Sequence, residues 1–516
     1  MRRREFSAVL LAAGSVFGMN RLVFSQASAS APDDVIGPAK GPWRRLFLDG
    51  AVVERREGLV RRFHAAEKVA PEPLIRADRA WEGKAAIIGP YVYGTVLRVG
   101  DRWRMWYQVL HQGNQVGVAE SLDGLNWTKP DIDVVKYEGQ PTNLVVSPSV
   151  RDRIGGECHN PVSFICLLKA IRASGFVLYG FDPVDRGPRV AFSSDGLHWS
   201  YANSERRTLF SSSDVVNFGF DPYQQRTYAT WKTRNRRGRA VGIAWSRDGL
   251  QWSKPFEGPI FTADDHDPDT TQIYGMPVFP YQGLYIGLPW MYRARYFKYG
   301  DYSVDKLHEA QSDSPRNMEV QLAWSWDQVN WTRPIEREQF IARGPEGAWD
   351  HGMIVTARSP LVIDDRLMFY YGGTDGLHDD RQVHAGIGVA ALRLDGFCSM
   401  ANSGTEPGWM ITRREPMRSP RIVINAKTER GGSIRAELLD RKDRVIQGFS
   451  ADDCRVFQGD SVRHELSWTT QELPPKAMKS DVKIRFILKA AELFSYLPLD
   501  LDPAQPDLAR FPATGP

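Results

Sequence analysis

The stretch VAESLDGLNWTKP, residues 118–130, returns as VAFSSDGLHWSYA at 190–202, IAWSRDGLQWSKP at 243–255 and LAWSWDQVNWTRP at 322–334. Each copy begins with alternating apolar residues, turns at Asp-Gly (Asp-Gln in the fourth) and resumes at Trp followed by Ser or Thr, which is a hairpin pattern. Trp127, Trp199, Trp252 and Trp331 are separated by 72, 53 and 79 residues, room at each step for a four-stranded sheet and variable loops. Strand pairs lie upstream of the hairpins: YVYGTVLRVGDRWRMWYQ from Tyr91, VVNFGFDPYQQRTYATWK from Val215 and YGMPVFPYQGLYIGLPWMY from Tyr274. The layout recurs in IVTARSPLVIDDRLMFYYGG from Ile354, and AGIGVAALRLDG from Ala385 leads into a fifth, degenerate copy with Phe397 in place of Trp. Sheets repeated in this way remove most exposed edges when set radially, so residues 43–400 are expected to form a five-bladed β-propeller.

After Gly396 the pattern shifts to short alternating strands with Gly-Gly and Asp-Gly-type turns, the signature of a C-terminal β-sandwich over 405–500. Residues 501–516 are Pro-rich and read as a loose tail. The expected fold class is all-β throughout. At 516 residues, with 16 Trp, 45 Gly and 33 Pro, the chain has material for more than one core.

Residues 1–29 read as a removable export signal of twin-arginine type: Arg3-Arg4-Glu5-Phe6, an apolar run from Ala8 to Met19, and Ala27-Ser28-Ala29 for cleavage. The run is shorter than the roughly 20 residues needed to span a bilayer, and no other stretch qualifies. The expected location is therefore periplasmic or extracellular, with no membrane span after processing. Removing this segment takes Lys+Arg from 66 to 62 (Arg2, Arg3, Arg4, Arg21) and Asp+Glu from 62 to 61 (Glu5), a near-neutral balance that gives no electrostatic footprint for nucleic acid. The one dense basic stretch, Lys232 to Arg239, reads as a solvated hairpin tip. Four cysteines, Cys158, Cys166, Cys398 and Cys454, form neither a dense disulfide scaffold nor a CxxC metal site.

The aspartates of the repeats, Asp123, Asp195, Asp248 and Asp327, are read as structural: Asp and Ser at a turn bind neighbouring backbone N–H groups while Trp packs between sheets. The motif resembles the sialidase Asp-box, S-x-D-x-G-x-x-W, although Ser121 to Trp127 is one residue shorter and no arginine triad can be placed. With the segment GAWDHGMI (347–354) and the strands after it, the repeats resemble an exported bacterial group described as similar to glycoside hydrolase family 32, within a wider five-bladed set that includes family 43. The resemblance covers roughly Trp43 to Leu499, resting on architecture and loose motifs. It implies a sugar-processing site in the propeller's central depression. The families' N-D-P-N and R-D-P strings are missing, and Arg151-Asp152-Arg153 is a poor substitute for the second.

In a propeller the innermost strands line the axial channel, so functional carboxylates are expected just before, or at the start of, the first strand of each blade. That rule selects Glu82, Asp214, Asp269 and Asp350 as catalytic candidates. Glu157, His159 and Asn160 are the second blade's offering. Glycoside cleavage needs one protonated and one ionised carboxyl, about 5 to 5.5 Å apart for retention and about 6.5 to 9.5 Å for inversion. Trp81 and Trp349, each beside an acid, offer a flat face for a sugar ring. Tyr91, Tyr93, Gln272, Tyr274, Tyr292 and His351 complete the expected binding set. No cofactor is required by this scheme; the acidic run Asp264 to Asp269 suits a bound cation such as calcium, or a raised carboxyl pKa. A non-catalytic carbohydrate-binding propeller is the competing expectation, and a surface-interaction module the third. Acids in at least four blades favour the enzyme.

Overall fold

The computed structural model describes residues 40–501 apart from 84–86, 111–113, 147–159, 167–174, 183–184, 202–207, 295–314, 379, 403 and 479–480; of residues 93, 110, 114, 160–166, 201 and 478 it describes the backbone alone. The export signal, Arg151-Asp152-Arg153, Glu157, His159, the tail beyond Leu501 and the side chains of Tyr93 and Asn160 therefore lie outside the described residues. The described chain is nearly all strand. Its only helical segments are the single turns Ala80–Glu82 and Pro475–Met478, and no described helix is long and apolar enough to cross a membrane.

Antiparallel sheets follow one another along the sequence. The first contains Pro90–Val99, Arg102–Leu110, Asn114–Ser121 and Leu144–Val146, and the second Asn160–Cys166, Phe176–Asp182, Gly187–Ser193 and Ser200–Tyr201. The third has Val216–Asp221, Arg226–Asn235 and Gly238–Ser246. The fourth runs through Val278–Tyr281, Leu284–Gly287, Ala323–Ser325 and Trp331–Thr332. Its inner extensions, Thr271–Gly275, Trp290–Arg293 and Met318–Val320, continue through a parallel pairing of Met318 with Met353 into the last set, Met353–Thr356, Arg366–Thr374 and Val383–Arg393.

The repeated turn has one geometry in all four copies. In the first, Ser121 Oγ donates to Asp123 Oδ1 (3.0 Å), Ser121 Oγ accepts from Gly124 N (2.8 Å), and Asp123 Oδ1 accepts from the backbone N–H of Leu125 and Asn126 (both 2.8 Å). The same contacts recur around Asp195, Asp248 and Asp327 within 0.1 Å. The position after Asp needs a positive φ, near the left-handed region: Gly124, Gly196 and Gly249 have φ of 77°, 74° and 74°, and Gln328 adopts 69° in the copy that lacks glycine.

Each turn is gripped by the sheet before it. Trp106 Nε1 of the first sheet donates to Gly196 O (2.8 Å), Tyr179 Oη of the second to Gly249 O (3.2 Å), and Arg226 Nη2 of the third to Gln328 Oε1 (3.3 Å). Tyr281 Oη of the fourth donates to Asp395 Oδ1 (2.6 Å), in the degenerate fifth copy. The series closes on itself, because Tyr370 Oη of the last sheet donates to Gly124 O of the first (2.7 Å).

The sheet limits depart from the expected domain limits at 43 and 400. Arg45–Leu46, Val53–Glu57 and Val60–Phe63 pair with the C-terminal strands, and Cys398–Asn402 does the same. Together with Gly408–Thr412, Ile422–Leu439, Asp460–Glu465 and Lys483–Pro498 they make a single eight-stranded sheet. Register breaks at Asn425/Ala426 and Thr428/Ser433 interrupt its longest pairing. One continuous buried cluster runs from Phe279, Trp290 and Phe369 of the repeating sheets to Ile424, Ile484 and Phe486 of this one. Sequence alternation could not show this, since it reports which residues face a core but not which sheet supplies the other wall.

Candidate functional site

Tyr274 stands at the meeting point of several sheets. It lies on Thr271–Gly275, and its ring makes edge contacts with Tyr292 (5.8 Å between centroids) and His378 (5.4 Å). His378 Nε2 is 3.2 Å from the Tyr274 hydroxyl, and the His378 ring is 5.0 Å from that of Tyr292. Two cations from the third sheet lie over the same aromatics. Lys232 Nζ is 4.3 Å from the Tyr274 centroid, and the Arg239 guanidinium is 5.7 Å from Tyr274 and 5.0 Å from Tyr292. Tyr91 enters from the first sheet; burial, with the nearby Tyr274 and Asp214, pushes its hydroxyl well above the usual phenol range.

Asp214 sits just ahead of the third sheet's innermost strand, where Lys232 Nζ approaches its Oδ1 at 2.6 Å and Ser213 Oγ donates at 2.8 Å. Burial alone would raise this carboxyl; the Lys232 ammonium and the Ser213 hydroxyl outweigh it and hold Asp214 below its ordinary value, ionised at neutral pH. Burial pushes the Lys232 ammonium down, against the pull of Asp214. Gln272 is fully buried as a spacer: its Oε1 accepts from Arg239 Nη1 (3.0 Å) and its Nε2 donates to Ala294 O (2.7 Å).

The group thus unites Tyr91, Asp214, Gln272, Tyr274 and Tyr292 among the expected residues. Lys232, Arg239 and His378 were not foreseen. The expected solvated tip is corrected at its two ends: Lys232 is only 8% exposed, and Arg239 lies against aromatic rings. A signal for Lys232 existed, because it continues the face of Tyr228 and Thr230 on a strand whose same-face neighbours are buried. His378 lies in a connection with no repeat pattern to mark it.

Glu82 and Trp81 are elsewhere. The Glu82 carboxyl has no exposure; Oε2 accepts from Lys129 Nζ (2.7 Å) and from the backbone N–H of Asp78 and Arg79, and Oε1 from Tyr107 Oη (3.1 Å). Trp81 Nε1 donates to Asn143 Oδ1 (3.0 Å) in the same network. Asp350 is 2% exposed and bound to Lys68 Nζ (2.5 Å) and Tyr371 Oη (2.9 Å), while Trp349 stacks on Tyr371 (5.6 Å, 16°) and donates to Pro71 O. The carbonyl of His351 accepts from Arg343. These carboxylates hold elements together, and among the described residues none of their hydrogen bonds or ion pairs joins them to the Tyr274 group. The pattern rule found acids at strand entrances but could not tell one that joins the Tyr274 group from one buried beside its own sheet.

Asp269 is exposed at the end of the acidic run. The rest of that run is neutralised by arginine. Arg333 bridges Asp264 and Asp267, Arg337 reaches Asp264, and Arg237 pairs with Asp265. For Asp264 burial raises the carboxyl, but the His266 backbone N–H and the two guanidiniums prevail and leave it below the usual value, the opposite of a mutually repelling acid cluster. Among the described residues no group of three His, Cys, Asp or Glu side chains is arranged to hold a metal ion.

No protein-family profile and no curated protein matches the chain. Several solved structures are similar to it at low scores. One is a glycosyl hydrolase from Bacteroides ovatus, 13% identical over 64% of this chain and 94% of its own, with a TM-score of 0.43. Another belongs to a family of mannoside phosphorylases containing glycoside hydrolases that target β-1,2-mannosidic linkages in Candida mannan (13% identity, 64% and 94%, TM-score 0.43). A third is an N-acetylgalactosamine deacetylase from F. plautii in complex with blood group B trisaccharide (14% identity, 66% and 97%, TM-score 0.40). At scores this low the likeness carries no argument about chemistry.

Proposed function

We propose that the chain is a five-bladed β-propeller, exported after loss of residues 1–29, whose axial group binds a glycan and cleaves a glycosidic bond. The eight-stranded sheet would then fold across its register breaks as the two faces of the expected sandwich. The observation that carries the functional reading is the convergence, from different sheets, of three tyrosine rings and an imidazole, with the ionised Asp214 held beside them by Lys232. Flat apolar surfaces with a few fixed polar groups suit a sugar, which has an apolar ring face and a rim of hydroxyls.

In this reading Asp214 is the ionised member of a carboxyl pair, acting as base or nucleophile, with Lys232 keeping it charged. Asp269, exposed three residues before Gln272 and without an ion pair among the described residues, is the candidate for the second carboxyl. Glu82 and Asp350 leave the scheme, because their side chains are 0% and 2% exposed, whereas that of Asp214 is 44% exposed beside its lysine. In this reading the acidic run takes no cation, because arginine guanidiniums occupy its carboxylates.

A panel of glycans and aryl glycosides tests this with the mature chain. Asp214→Asn should lower turnover of the cognate substrate by at least about 10²-fold, the lower end for losing a general acid or base, with an unchanged circular dichroism spectrum. Loss of two of the four expected acids to structural ion pairs favours one rival, the non-catalytic carbohydrate-binding propeller. Binding without turnover across the panel would establish that rival.

A further inference from the structure

The hairpin between Arg226–Asn235 and Gly238–Ser246 carries TRNRRGR at 233–239, and the axial group has absorbed only its two flanks. Lys232 is matched by Asp214, and Arg237 by Asp265. Arg234 and Arg236 are exposed and have no carboxylate partner among the described residues; Arg239 is half-buried and has only the neutral amide of Gln272. Among the described residues, three cations of the same short hairpin are therefore without a carboxylate. The placement of Arg239 is the telling part. Removing a guanidinium from water is costly unless an anion or several acceptors meet its five N–H groups, yet its partners here are one amide oxygen and two ring faces. A planar fork held against aromatic rings, with donors to spare, is preorganised for a carboxylate or sulfate oxygen pair.

We infer that the axial group takes an anionic glycan, one bearing a uronate carboxylate or a sulfate ester, with Arg239 binding the charged group and Arg234 and Arg236 steering it electrostatically. This rests on the reading of the Tyr274 group as a glycan site, and it assigns the class of sugar that site selects. Asp214 remains ionised beside Lys232, so the two form a locally neutral pair and do not cancel the field of the three free arginines.

The test measures binding of the full mature chain to paired probes at low salt: polygalacturonate beside its methyl ester, and a sulfated galactan beside its desulfated form. The charged member of at least one pair should bind about tenfold to about a hundredfold more tightly, the usual scale for hydrogen bonds to a charged group. Arg239→Gln should abolish that preference. Arg234→Gln with Arg236→Gln should lower it in a manner that fades as salt rises, because exposed charges are screened. Arg441→Gln, at an exposed turn of the C-terminal sheet, is the control for indiscriminate basic attraction and should leave the preference intact.

Equal binding within every pair, unaltered in Arg239→Gln, would overturn the inference. So would a neutral glycan turned over only when inorganic phosphate is added, with phosphate competing at Arg239, since the oxyanion would then be a free co-substrate. The two readings fail separately. A charge preference that persists without turnover sinks the hydrolase and keeps the anionic ligand, whereas turnover of neutral glycan in plain buffer with no preference does the reverse.

Discussion

Lys232 decides the charge of Asp214, and that coupling has a measurable sign. Burial is the largest single cause and raises the carboxyl, but the Lys232 ammonium, the Ser213 hydroxyl and the backbone N–H of Asp214 together bring it below its ordinary value. In the reaction proposed here the acid limb of the kcat/KM profile therefore lies below the ordinary carboxylate value of about 3.9. Lys232→Gln removes the largest of the lowering causes and leaves the raising one, so the limb should move to higher pH; a limb that stays in place would mean that Asp214 is not the titrating base. Asp350 makes a contrasting case. Asn at this position removes the charge that meets Lys68, and loss of one partner of a buried pair costs about 3 kcal/mol at the low end. Urea unfolding of Asp350→Asn should show a midpoint shift of that order, and a fully stable variant lacking turnover would return Asp350 to the site. From sequence, Asp214 and Asp350 look alike, each an acid at a strand entrance. What separates them is the lysine each meets: one stands across the hairpin over Tyr274, the other comes from Glu67–Lys68 at the far edge of the last sheet, more than 280 residues away in the chain.

The repeated turn is the element most legible in advance, because its information is local: Ser, Asp, a left-handed position and Trp lie within seven residues. Its pH response follows from its hydrogen bonds. In Asp123 the Asn126 backbone N–H is the largest cause, followed by the Asn126 side chain and the Leu125 N–H, and together they hold the carboxyl well below its usual range. For a depressed folded pKa the stabilisation is complete above the unfolded value and is lost as pH falls through the folded one. The Tm deficit of Asp123→Asn should therefore be greatest near neutrality and shrink steadily below about pH 4; a deficit constant down to pH 2 would contradict the hydrogen-bond account. Gly124→Ala tests the grip between sheets. A Cβ there would lie 2.6 Å from Ile363 Cδ1 and 2.7 Å from Tyr370 Oη, at a φ that already disfavours it. The expected loss is about 2 kcal/mol or more, strain and lost hydrogen bond combined. What no local pattern could reveal is that each turn's partner is in the preceding sheet, since those contacts join residues 70 to 246 positions apart.

At the scale of the whole molecule, the N-terminal strands join the two parts that the sequence separates. Arg45–Leu46, Val53–Glu57 and Val60–Phe63 belong to the C-terminal sheet, while Glu67–Lys68, a few residues on, is the outer strand of the last repeating sheet. The Arg45 guanidinium is bound to Glu415 at 2.8 Å with both side chains 1% exposed, so the tie includes a buried ion pair. A chain ending at residue 404 would leave Arg45 buried without its carboxylate and two strands, Arg45–Leu46 and Val53–Glu57, without partners. Its product should be insoluble or lack a cooperative melting transition; a soluble, cooperatively folded fragment would show that the repeating sheets are self-sufficient.

Lys483–Pro498 pairs with Arg45–Leu46, Cys398–Asn402, Gly408–Thr412 and Ile422–Leu439. It is thus the common neighbour of the earliest strand and of later ones, and it is among the last described residues that a ribosome would release. Until it emerges, Arg45–Leu46 has no strand to pair with, and the grip of Tyr370 on Gly124 likewise waits for residues far along the chain. A prematurely terminated copy would expose unpaired edges and apolar faces to chaperones and proteases, so the order of pairing makes a translated chain's own completeness a condition of its survival.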